Sequence, residues 1–407
     1  MNALSLCIPG RGGMYSALLT LRQALALHGI ELRWAEAGRS VAAQALGAAS
    51  PEDLAIGTLL ATGTDDDQPR ARALLNYIES QQPAIVLVNV FGGPVETNLV
   101  RYLPRDVPRI LIVHSISRST YRAARSVRDW IDATVAVSPR IRQDLIRNHD
   151  FRPESIHLIP NSVGPTPGAS RSPHLSAELR VLAHGRVEHS SKGVNWLPEI
   201  VQEALGGGGN VSLTVSGEGP DLARLRDRVA ASALGGRTKF LGFVERDQVS
   251  DLMSAHDVLL LPSVYEGLSL TLIEAMAAGC LPVASRIRGA TDYVVADGVT
   301  GSLFPVGDVR AAAKRLVELD RDRSRLRSMS EAASRAVRTR FSIETQGAAF
   351  FGLIQRILRE PQHRSAPLPI DRWRLPSGLR PGWWHALPAP AKNLLRVARE
   401  RMQLGNA

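Results

Sequence analysis

The sequence predicts an α/β chain built as two doubly wound domains in tandem, and three observations predict it. A length of 407 residues exceeds what one ordinary core organises. Short runs of Val, Ile and Leu with little alternation recur along the chain, as expected of parallel strands covered by helices on both faces. A stretch rich in Pro, Ser and Gly interrupts that rhythm midway, after which it restarts.

The first domain opens with LSLCIP (4–9), a buried-strand run, followed by GRGGMYSALLTLRQALALHG (10–29), a glycine turn into an amphipathic helix closed by Gly29. Strand, glycine loop and helix form the opening of a doubly wound domain, and the helix start offers amides to an anion. The dinucleotide fingerprint Gly-x-Gly-x-x-Gly would place its third glycine at Tyr15, which argues against a dehydrogenase. AIVLVNV (84–90), RILIVHS (109–115) and ATVAVS (133–138) complete the visible strands of this half. Residues 160–178 read as a linker. LRVLAHGR (179–186), VSLTVSG (211–217), KFLGFV (239–244), DVLLLPS (257–263), LPVAS (281–285) and GSLFP (301–305) then supply a second α/β domain. Boundaries follow at 1–162 and 163–341. A helix over 342–360, with Phe350, Phe351, Ile354, Ile357 and Leu358 on one face, is expected to return to the first domain, and 361–407 is a basic tail rich in Trp and Pro. Two such domains make a cleft suited to a ligand.

Hydrophobic residues at 44% and charged residues at 22% exclude a disordered or fibrous chain. Cys7 and Cys280 lie in apolar runs without metal-ligand spacing, as small hydrophobes in a reducing compartment do. No apolar run approaches the roughly 18 residues of a membrane span, and the first residues lack the charged-then-apolar order of a signal peptide, so the expected location is cytoplasmic. The net charge of +10 favours anionic partners: nucleotide, lipid head group or nucleic acid.

The chemistry concentrates in SVYEGLSLTLIEAMAAGCLPVAS (263–285), where Glu266 and Glu274 stand in a stretch otherwise nearly free of charge. Carboxylates there are either solvated helix-surface groups or handles for hydroxyls. A strand ending near Ser263 and a helix starting near Leu270 put Glu266 at the C-terminal edge of the sheet. Amides across Gly267, Leu268, Ser269, Leu270 and Thr271 can cradle a diphosphate or sugar hydroxyls, and Glu274, one turn into the helix, can accept from a ribose diol. HGRVEHSSKGVNWL (184–197) adds Arg186 and Lys192 after the first strand of the second domain.

Together these stretches resemble the retaining, nucleotide-sugar-dependent glycosyltransferases of family 4 (group 1 type), over roughly residues 1–360. The most specific element is the Glu, seven residues, Glu pattern at Glu266 and Glu274 with the flanking AMAAGCLPVAS. The resemblance implies the GT-B architecture of two Rossmann-like domains. It implies that Glu266 binds donor-sugar hydroxyls near the reacting carbon, Glu274 the ribose, and Arg186 with Lys192 the diphosphate. Their charge would stabilise the leaving group where other enzymes use a metal; no metal site and no obligatory cofactor is expected beyond the donor, a UDP- or GDP-linked sugar. His114, at the end of RILIVHS, is either a contact near the donor sugar or a satisfied histidine at a strand end. The turn VSGEGP (215–220) with Gly217, the base-reading loop FLGFVERDQVSDLM (240–253) with Val244, and Gly12 with Gly13 match family donor contacts, and each is equally a plain strand-to-helix connection.

The acceptor is less visible. Arg118, Arg122, Arg125 and Arg128 recur at helical spacing and could meet an anionic acceptor, the inner face of a membrane, or solvent alone. Trp373, Trp383 and Trp384 lie among tail arginines, which suits a bilayer interface or packing on the body. Position 269 is Ser where relatives often carry Pro, and aromatics are few near the N-terminal glycine loop. The expected activity is retaining transfer of a hexose-type sugar to a hydroxyl-bearing glycan or lipid-linked acceptor. The rivals are a scaffold that binds but does not turn over, a nucleotide-sugar epimerase and a glycan phosphorylase. No nucleic-acid module is recognised.

Overall fold

In Ile85–Asn89 every residue is buried on both faces, and this sets the plan: the strand is central in a parallel sheet whose helices leave neither side to water. The computed structural model describes residues 1–7, 12–38, 51–90, 93–164, 177–360, 364–380 and 389–404. They form two units, Met1–Ser162 with Ile343–His385, and Val163–Ser342 with Ala386–Ala407.

The first unit holds β1 (Asn2–Leu6), β2 (Glu31–Gly38), β3 (Gly57–Ala61), β4 (Ile85–Asn89), β5 (Arg109–Val113), β6 (Ala133–Ala136) and β7 (Ile156–Leu158). Their order is β3-β2-β1-β4-β5-β6-β7, with every pairing parallel. Three strands were not visible in the sequence, for physical reasons. In β2 the buried Glu36 sits where an apolar residue would mark a strand, β3 is a half-buried edge, and β7 has three residues. Glu36 and Glu96 share Arg70, each 2.9 Å from its guanidinium, and burial pushes the Glu36 carboxyl up to about 9.

The helix Ile343–Arg359 packs on Gly13–Ala26 in this unit. Contact is close because Gly347 has no side chain: a methyl there would run into the Ala24 carbonyl. Phe350, Ile354 and Ile357 are buried and Phe351 stacks on His28 at 4.9 Å, but Leu358 is exposed, since the helix is docked over only part of its expected face. The segment 364–380 also lies on this unit. Arg364 pairs with the buried Asp132 at 2.9 Å, and the Trp373 ring sits 4.7 Å from Tyr102. Trp383 and Trp384 and most of the expected linker lie outside the described residues. The basic stripe is largely spent within the fold: Arg122 donates to the Ser377 carbonyl, Arg125 pairs with Asp150, and Arg128 donates to the carbonyls of His149 and Asp150.

The second unit holds β8 (Leu179–His184), β9 (Val211–Ser216), β10 (Thr238–Gly242), β11 (Val258–Leu261), β12 (Leu281–Arg286) and β13 (Ser302–Pro305), in the order β10-β9-β8-β11-β12-β13. All six match sequence-predicted strands. Asp322 caps the helix Arg323–Arg340 through the Arg325 amide, which separates it from the helix Val309–Arg321. The core gathers Val181, Leu197, Val201, Leu213, Val258, Leu260, Val283 and Phe304, all nearly solvent-free.

Candidate functional site

In the second unit the strand order reverses between β8 and β11, and at such a switch point the loops beyond the strand ends part to leave a crevice. The loop after β8 leads into the short helix His189–Lys192, and the loop after β11 leads into the helix Leu270–Ala277. The two loops are stitched by a 2.8 Å bond from the Val264 amide to the Ser191 carbonyl. Gly193, at φ 65°, closes the short helix so near the Pro262 carbonyl that a Cβ would collide with it.

This stitching brings Lys192 to Glu266. Lys192 Nζ lies 2.6 Å from Glu266 Oε1, and Ser263 Oγ donates to the same oxygen at 2.7 Å. Glu266 is 7% exposed, so the pair is largely shielded from water. The expected partner cation behaves differently: Arg186 is 68% exposed at its side chain and 3.7 Å from Glu188. Of the two expected cations, Lys192 is held in place and Arg186 stands at the surface.

Gly267, Leu268 and Ser269 form a buried loop ahead of Leu270, the first helical residue. Ser269 caps this helix with its backbone only, and its Oγ is buried without a hydrogen-bond partner among the described residues. Glu274 sits in that helix, its carboxyl pushed up by burial and drawn back in part by the charge of Arg246. Arg246 opens the helix that follows β10, after the loop containing the half-buried Val244. Glu274 therefore feels the charge of the residue that follows the loop expected to read a base.

The loop after β9 completes the rim. Gly217, at φ 121°, donates to the Gly242 carbonyl at 2.6 Å and lies against the Gly185 carbonyl. A Gly217→Ala change will place a methyl inside contact distance of that oxygen in a conformation L residues avoid. We expect it to destabilise the fold by about 2 kcal/mol or more. Urea unfolding checks this, and a wild-type midpoint would contradict it.

Sequence reading missed three partners here. Asp221 accepts from the His189 amide at 2.7 Å and so holds the start of the lysine-bearing helix. Tyr265 stands beside Glu266, surrounded by Glu188, Lys192 and Arg396. His184, the last residue of β8, hydrogen-bonds Ser216 at 2.6 Å, and burial, helped by Lys192, lowers its pKa to about 4. The one available signal was a histidine beside the glycine that follows a buried strand.

The remaining expected residues belong to the first unit. Gly12 and Gly13 start the helix after β1, which borders the switch point of that sheet between β1 and β4. His114 follows β5, and its Nε2 lies 2.8 Å from Asn89 Oδ1. An amide oxygen only accepts, so Nε2 carries the proton. The ring lines a small internal cavity with Ser5, Asn89, Asn161 and Gln346, and burial lowers its pKa to about 4. A lowered histidine pKa means the unfolded chain binds more protons between pH 6.5 and 4. The stability this neutral ring contributes is complete above 6.5 and lost as pH falls through 4. His114→Gln should therefore flatten the decline of Tm below pH 6.5 relative to wild type; an unchanged profile would contradict the neutral ring.

Two family models match the chain: Glycosyltransferase Family 4 over residues 11–166 and Glycosyl transferases group 1 over residues 178–322. A 2-deoxystreptamine N-acetyl-D-glucosaminyltransferase of Streptomyces fradiae is 30% identical over 204 residues, 47% of each chain. The alpha-maltose-1-phosphate synthase of Mycobacterium tuberculosis is 30% identical over 247 residues, 52% of this chain and 62% of that one. The chain spans about half the length of the curated relatives it matches. Among solved structures, the sucrose-phosphate synthase of Thermosynechococcus elongatus superimposes with a TM-score of 0.72 at 19% identity, covering 88% of this chain and all of the other. Anabaena HepE, solved with UDP and glucose, does so at 0.69 and 18% identity, covering 87% of this chain and 99% of that one. These two likenesses establish the GT-B fold.

Proposed function

This chain belongs to glycosyltransferase family 4, and from that premise we propose that it moves a hexose-type sugar from a nucleoside diphosphate to a hydroxyl acceptor with retention at the anomeric carbon. The observation that carries the reading is the shielded Lys192–Glu266 pair at the switch point of the second unit, with Glu274 on the helix beside it. Lys192 meets the diphosphate, Arg186 joins it from the surface, and Glu266 accepts from the sugar hydroxyls nearest the reacting carbon. Glu274 accepts from the ribose. Gly267 through Leu270 present helix-start amides to the phosphates, and the turns at Gly217 and Val244 border the base. In the first unit, the family resemblance assigns Gly12 and Gly13 to the diphosphate and His114 to the sugar.

Transfer breaks the bond from C1 to the diphosphate oxygen and forms the bond from C1 to the acceptor oxygen on the same face. The departing phosphate takes the acceptor proton, so no protein base is needed. A fixed lysine charge stabilises the negative charge that grows on the leaving group, the role a divalent ion fills elsewhere. The UDP held by a neighbour of this fold supports a UDP-linked donor, with a GDP-linked one as the alternative. The acceptor is a hydroxyl-bearing glycan or lipid-linked saccharide, and the net charge of +10 favours one presented near an anionic membrane surface.

The test is a thermal-shift screen against UDP, GDP, ADP and their sugar conjugates, with and without EDTA. We expect one nucleotide to raise Tm selectively and without regard to EDTA. A chain indifferent to all of them would overturn the reading in favour of a scaffold.

A further inference from the structure

The helix Ala389–Leu404 folds back onto the second unit rather than trailing from it. Its Arg401 donates to the Val306 carbonyl at 2.9 Å, and Glu400 is 4% exposed, so one turn of the helix is seated firmly. A turn earlier, Arg396 Nη1 donates to the Ser190 carbonyl at 2.8 Å while its guanidinium lies 4.1 Å from the centre of the Tyr265 ring. Ser190 lies in the short helix that ends the connection after β8, and Tyr265 in the loop after β11. Ser190 is two residues before Lys192, and Tyr265 is one before Glu266.

We propose that Arg396 is a positioning residue of the donor site, clamping the loop after β8 to the loop after β11 so that Lys192 and Glu266 are held in register. This rests on the donor-site reading above. A guanidinium can make both contacts at once, because its plane stacks on an aromatic face while its edge donates to a carbonyl, and both strengthen away from water. The clamp acts on the Lys192–Glu266 end of the site. Glu274, on the helix Leu270–Ala277, is held by its own packing.

That asymmetry separates positioning from general support. With uridine nucleotides as probes (guanine ones if the screen selects guanine), Arg396→Ala should weaken UDP and UDP-glucose about tenfold. UMP, which lacks the phosphate that Lys192 meets, should stay within about twofold. Arg396→Lys should recover only part of the loss, because an ammonium can donate to Ser190 but lacks the flat fork that stacks on Tyr265 at the same time. Tyr265→Leu should mimic Arg396→Ala, and the double variant should be no worse than either, as residues acting through one contact are non-additive. Arg399→Ala, which removes an exposed charge from the same helix, should change none of these affinities.

Equal losses for UMP and UDP, or wild-type UDP affinity in Arg396→Ala, would overturn the positioning role while leaving the donor site intact. A wild-type chain that binds no nucleotide would overturn the donor reading and the clamp together.

Discussion

Lys192→Ala is expected to lower turnover by about 10²- to 10³-fold, the loss typical when one fixed group that stabilises transition-state charge is removed. Glu266→Ala should lower it comparably, yet the two variants will differ in stability. Removing the lysine strands a carboxylate that is 7% exposed, with Ser263 alone among the described residues left to donate to it. Breaking a buried pair from that side costs about 3–5 kcal/mol. Removing the glutamate frees a lysine already 24% exposed, whose flexible stem can carry the ammonium to water. Urea midpoints should therefore fall well below wild type for Lys192→Ala and only slightly for Glu266→Ala. Glu266→Gln retains an acceptor for both neighbours, so it should fold like wild type while staying as inactive as the alanine variant. Near-normal transfer by any of the three would remove the pair from the chemistry, and equal stability losses would refute the asymmetry.

Glu274→Ala is expected to weaken nucleotide binding by about 10- to 100-fold, in line with losing a hydrogen bond between a charged group and a buried ligand hydroxyl. In the absence of nucleotide the same variant should be at least as stable as wild type. Burial raises the Glu274 pKa, so the folded state disfavours the ionised form. The stability its protonated form offers is present at low pH and lost as pH rises through the raised value. Alanine removes that penalty and is the best helix former. Gain without ligand and loss with it mark a residue kept for binding rather than for folding. A variant that melts early and binds normally would reverse the assignment.

The second unit was legible in its strands because each is a short run built on Val, Leu or Phe with at most one Lys or Arg, from Leu179–His184 to Ser302–Pro305. The first was less so: β2 carries Arg33 and Glu36 and imitates a polar segment until its neighbours are known. At the site, the paired glutamates were legible because charged residues are rare in that apolar text, and Lys192 was legible through the resemblance of 184–197 to the family. Tyr265 and Arg396 were not, since their proximity spans more than a hundred residues and no local pattern encodes it. Arg186 shows the opposite limit. Residue type and spacing marked it, but only the fold reveals that it stands in water while Lys192 does not.

The route of the chain through its two units bears on how the protein is made. Synthesis delivers residues in order, and the first unit lacks the cover for Gly13–Ala26 until Ile343–Arg359 has emerged. By then all six strands of the second unit have left the ribosome and can close their own core. The portion begun first waits longest for its cover, so a nascent chain passes through a stage in which the second sheet is complete and the first unit still exposes an apolar helix face. Chaperone demand should peak during that interval, between the release of residue 342 and the docking of the helix that follows it.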